Sequence, residues 1–102
     1  MASRLELHEK LCDILGTRYV YFQPPESVKL QYPCIVYSRS NMRPTWADNS
    51  IYNMMKQYMV TVIDKDPDSV IPDHLQETIP FCRMERHYTS EGLNHDVFII
   101  YH

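Results

Sequence analysis

Three groupings in this chain of 102 residues have types and spacing that could do chemistry. Asp64, Asp66 and Asp68 alternate like the first oxygen ligands of a calcium loop. That loop also requires Gly at its sixth position and a bidentate Glu at its twelfth, where this chain has Ser69 and Leu75. The triplet therefore reads as a solvated strand-to-helix turn, its carboxylates placed where a helix N-terminus favours negative charge. His8 and Cys12 stand four apart, so one face of a helix would present an imidazole and a thiol together, as a metal site or a nucleophile pair requires. No third ligand of defined position accompanies them, and free Cys is among the most buried residue types, so the pair reads as a buried thiol beside a surface histidine. His87 and His95 flank a turn, close enough for general acid-base work. Without a partnered nucleophile or a Gly-rich oxyanion loop, their reading is structural. The sequence assigns no catalytic residue, no cofactor and no metal.

A fourth grouping suits contact better than catalysis. The polar loop of residues 39 to 50 carries the only Trp of the chain, and Met42, Arg43, Pro44 and Trp46 include types enriched at the buried centres of protein interfaces. These four are the candidate interface residues. The competing reading is that Trp46 folds back on its own core, because so much apolar area is costly to leave in water.

The elements that must position these groups can be read in order. Ser3 and Glu6 form a capping box for a first helix with Leu7, Leu11, Ile14 and Leu15 as its apolar stripe, stopped by a left-handed Gly16. Tyr19 to Phe22 is a short β stretch halted by Pro24 and Pro25, which cannot donate to a ladder. Cys34 to Ser38 is a strand. Ile51 to Ile63 is another, with Tyr58, Val60 and Val62 on its greasier face and Gln57, Met59 and Thr61 opposite. Asp66-Pro67-Asp68 stops it and offers an N-cap to a short helix built on Val70, Ile71 and Leu75, with Pro72 in its first turn. Phe81 to Tyr88 alternates Cys82, Met84 and Tyr88 against Arg83, Glu85 and His87, the pattern of a half-buried antiparallel strand. Residues 90 to 94 form the turn. Val97 to Tyr101 is apolar on both faces and so belongs between other strands. The expected fold is α+β: a mainly antiparallel sheet of four to five strands, backed by the N-terminal helix and a short middle helix, as one domain over residues 1–102.

Composition excludes several classes. Hydrophobic residues at 44% and charged residues at 23% are ordinary globular usage. A net charge of −3 without a run of Lys or Arg speaks against coating nucleic acid. No stretch approaches a membrane span, and the N-terminus lacks the apolar core of a signal peptide, so a soluble protein made in a cytoplasm is expected. Cys12, Cys34 and Cys82 are widely separated and form neither a disulfide framework nor a zinc knuckle; they read as buried small hydrophobes. Eight Tyr beside two Gly point to strands and amphipathic contact surface.

Leu5 to Gly16, Val20 to Pro25, Tyr32 to Tyr37, Tyr58 to Asp68 and Leu93 to Phe98 together resemble the tail-terminator or tail-completion proteins of long-tailed bacteriophages. The resemblance covers most of the chain, in strings of structural residues and not in a catalytic fingerprint. It implies a virion structural protein, not an enzyme, assembled in the cytoplasm of a bacterial host. Such subunits form a homo-oligomeric ring, usually a hexamer, on the last ring of major tail-tube protein. The ring stops tail growth and presents a docking face to head-tail connector or neck proteins, while DNA passes through its lumen without specific binding. Two other readings stay open: a head-side adaptor or stopper protein, and a small metal-dependent hydrolase built on His87, His95 and the Asp64–Asp68 cluster.

Overall fold

A computed structural model describes residues 4–25, 27, 29–40 and 56–102. The fold is α+β. Its elements in chain order are α1 (Arg4–Leu15), β1 (Val20–Phe22), β2 (Cys34–Arg39), β3 (Gln57–Asp64), α2 (Ile71–Thr78), β4 (Cys82–Ser90) and β5 (Leu93–Tyr101). The described strands make one sheet in the order β1-β2-β3-β5-β4. Every pairing is antiparallel except β1 with β2. No helix among the described residues is long and apolar enough to cross a membrane.

Both helices lie on one face, because each has only one apolar stripe to bury. Leu7, Leu11, Ile14 and Leu15 of α1 join Leu75 of α2 and Ile79 in a core cluster with Ile35, Tyr37, Tyr58, Val60, Val62, Phe98 and Ile100 of the sheet. Leu7, Leu11, Leu75 and Phe98 are completely inaccessible, each worth roughly 1.5–3 kcal/mol of transfer free energy. Gly16 ends α1 at φ +84°, its N–H donating to the Cys12 carbonyl at 2.8 Å. Pro72 sits in the first turn of α2, where its missing N–H costs nothing.

The parallel pairing of β1 and β2 dictates what happens on the other face. Parallel neighbours need a crossover that carries the chain back over the sheet. With Pro24 and Pro25 at its start, this crossover has no described residue in a helix or a ladder. It passes on the side away from the helices, where Pro24, Pro25 and Leu30 lie near Val36, Ile63 and His95. On that same side Cys34, Ile63, Val97 and Ile99 are buried. The interior strand β5 is therefore covered on both faces at its C-terminal half, as its unbroken apolar run predicts.

Four expectations are corrected. β4 is not half-buried. Among the described strands it is the edge of the sheet; only Cys82 of it packs against the core cluster, and every other residue is exposed, Met84 and Tyr88 included. A bulge between Met84 and Arg86 breaks its alternation, so Arg86 and Tyr88 fall on the opposite side from Met84. Cys82 is only half-buried, unlike Cys12 and Cys34. The Asp66-Pro67-Asp68 segment does not cap α2: Val70 is the N-cap with no side-chain cap, and the nearest substitute is the Ser69 Oγ, which accepts from the Ile71 N–H at 3.3 Å. The turn of the last hairpin narrows to Glu91 and Gly92, both at positive φ (53° and 76°), the geometry that matches strand twist in a two-residue hairpin. Ser3 of the capping box and residues 51–55 of the expected strand lie outside the described residues.

Candidate functional site

Setting the tight turn at Glu91-Gly92 fixes the register of the β4–β5 hairpin. His87 pairs with Asp96, and Tyr88 with His95. Consecutive positions on a strand point to opposite faces, so His87 and His95 are separated by the thickness of the sheet. The two histidines do not form one site. On the helix side, His87 Nδ1 donates to the Asp96 carboxylate at 2.6 Å; the His87 side chain is 46% exposed and that of Asp96 15%. A carboxylate-oriented imidazole is half of a general-base arrangement, but among the described residues no group of three or more His, Cys, Asp or Glu could hold a metal.

On the other side, His95 Nδ1 lies 3.2 Å from the Leu93 carbonyl oxygen. A carbonyl only accepts, so Nδ1 carries the proton. The ring of Tyr88 stacks on that of His95, centroids 4.6 Å apart and planes within 10°. The guanidinium of Arg86 lies over Tyr88, Cζ 5.3 Å from the ring centroid. Tyr88 and His95 form one wall of a pocket of about 390 Å³, completed by Pro24, Pro25, Leu30, Val36, Thr61 and Ile63. The pocket exists because the Pro-led crossover spans the sheet beside the protruding hairpin.

The remaining groupings are used locally. The carboxylate of Asp64 accepts from the Asp66 N–H at 3.0 Å, and that of Asp66 from the Asp68 N–H at 2.9 Å. These successive turns, in which a side chain mimics the backbone, account for the alternating spacing without an ion. Cys12 is buried in the core and desolvation pushes its thiol up from the ordinary range. His8 is only half-buried and turned to a different partner: its Nδ1 meets the Tyr37 hydroxyl at 2.8 Å. Arg4 donates to the same hydroxyl at 3.2 Å and lies 4.4 Å above the ring of Phe22. Burial, followed by the charge of Arg4, holds the His8 imidazole below its usual pKa. Met42, Arg43, Pro44 and Trp46 lie outside the described residues.

Sequence reasoning missed Tyr37, Asp96 and the Arg86–Tyr88–His95 stack. Asp96 was within reach, because a two-residue turn at Glu91-Gly92 places it opposite His87. So was the stack: the same turn sets Tyr88 opposite His95, and Arg86, two residues away, shares its face. No protein-family model, no curated protein and no solved structure matches the chain.

Proposed function

We propose that this chain is a structural subunit of a long-tailed bacteriophage, of the tail-terminator or tail-completion class, and that it assembles as a ring on the head-proximal end of the tail tube. The observation that carries the reading is the set of resembling segments. They coincide with α1, β1, the start and body of β2, most of β3 and the first half of β5, the elements that build the core. The resembling strings thus fall mainly on core elements, with Leu75, Ile79 and Ile100 of the core outside them. The surface supports an assembling subunit: among the described strands β4 is outermost and pairs on one side only, with Met84 and Tyr88 exposed on it. In this reading the chain does no chemistry. Its partners are further copies of itself, the tail-tube protein below and the neck proteins above, and its place is the virion after assembly in the bacterial cytoplasm. The loop bearing Met42, Arg43, Pro44 and Trp46 contributes to an intersubunit or tube-facing surface.

Deletion of the gene, followed by electron microscopy of the lysate, tests the reading. Tails of abnormal length, unjoined to filled heads, are expected. Tails of normal length beside separate or leaking heads would move the subunit to the head side of the joint, and normal infectious particles would overturn a structural role.

A further inference from the structure

Arg86 is exposed, and among the described residues its guanidinium meets no carboxylate. It is nevertheless held in place, resting on Tyr88, which is itself stacked on His95. A guanidinium laid on an aromatic face keeps its N–H edges available to a planar anion, and part of its rotamer freedom is already given up before any partner arrives. Next to this fixed cation, Leu30, Val36 and Ile63 line the apolar part of the pocket of about 390 Å³. The combination asks for an apolar side chain carried close to a carboxylate.

The chain displays such a segment. Val70 is the most exposed large hydrophobic residue described, at 72%. It sits in the β3–α2 connection with Asp66 and Asp68 before it and Asp73 after it, all exposed, against the single cation Lys65. This turn leads into α2 on the helix side of the sheet, whereas the pocket opens on the opposite side. The two surfaces are different parts of the chain, differ in shape and have opposite charge. A contact between them is heterologous, so each copy can receive one neighbour and enter another.

We propose that the pocket beside Arg86 receives the β3–α2 turn of a second copy of this chain, with Val70 entering the pocket and Asp68 meeting the Arg86 guanidinium. The inference rests on the ring-subunit reading and deepens it by naming both halves of the contact.

The test is photo-crosslinking of Val70→p-benzoylphenylalanine in the full chain, both purified and in tails from the complemented deletion strain. Expected are adducts between two copies, mapped by mass spectrometry to peptides containing Leu30 or Tyr88–His95. Arg86→Glu should lower the yield by roughly tenfold or more, and Asp68→Arg combined with Arg86→Glu should recover it. The charge-reversal pair can be read independently, by sedimentation of chains that keep Val70. Copy-to-copy adducts that map elsewhere, their absence from both samples, or failure of the reversed pair to recover association would overturn the proposal. Failure of the tail reading has another signature: normal tails after gene deletion, whatever the purified chain does.

Discussion

The hydroxyl of Tyr37 stands 2.8 Å from Nδ1 of His8, tying the middle of β2 to α1 across the core. Arg4 donates to that same oxygen at 3.2 Å, so the hydroxyl joins both residues of α1 to β2. Burial, followed by the charge of Arg4, lowers the pKa of this imidazole below its ordinary value.

Stability should consequently fall in acid through this group. His8 titrates below its ordinary 6.5 when folded, so below that value the unfolded chain binds a proton that the folded chain resists. Where the unfolded state holds more protons, stability rises with pH. Urea unfolding measured between pH 5 and pH 8 should show stability lost as pH drops below about 6.5, and His8→Gln should flatten that part of the curve. A slope unchanged by His8→Gln would refute the assignment.

Removing the Tyr37 hydroxyl isolates the tie itself. Tyr37→Phe keeps the ring, which packs 5.0 Å from Phe22 and 6.1 Å from Tyr58, and should cost about 1 kcal/mol at pH 7 by denaturant unfolding. The loss should shrink in His8→Ala, since the two residues share one interaction.

Phe98 and Met84 are cross-strand partners on the same face of the sheet, yet they should respond oppositely to truncation. Phe98 is fully buried, and Phe98→Ala should cost about 3–5 kcal/mol. Met84 is 43% exposed on the edge strand, and Met84→Ala should stay within about 0.5 kcal/mol. Thermal midpoints of the two variants decide the matter.

At the hairpin turn, Glu91 occupies the left-handed region with φ 53°. Asn tolerates that region better than Glu, so Glu91→Asn should stabilise by roughly 0.5–1 kcal/mol. Gly92→Ala should cost about 1 kcal/mol; a Cβ there meets nothing within 4 Å, so the loss is conformational and not steric.

The cysteines should be chemically quiet. Burial pushes the thiols of Cys34 and Cys82 up to about 11, with the charge of Asp64 adding to the effect at Cys34. At pH 8 only about a thousandth of either is thiolate, so Ellman's reagent should react slowly with the native protein and rapidly with all three cysteines in denaturant. Rapid labelling of native Cys82 would show that its half-exposure outweighs its desolvation.

Periodicity was sufficient wherever one residue's neighbours decided its state. The apolar stripe of α1, the stop at Gly16, the alternation of Tyr58, Val60 and Val62, and the two-faced run of β5 all follow from local spacing, and with them the α+β class. The nature of the Asp64–Asp68 turn was also legible, because side chains that cap their own backbone are local by definition. What only the tertiary structure decided is which strands lie at the edge and which residues share a face across them. β4 has the alternation of a half-buried strand, but only its first residue, Cys82, reaches the core cluster, and nothing in its own residues records that. A single bulge set Met84 on the side of the sheet opposite Arg86 and Tyr88, which simple alternation would have kept together. Tyr37 found His8 because β2 was laid beneath α1. Those relationships arise from pairing between distant segments, whose geometry is set by how the whole sheet packs and not by the spacing of residues along one strand.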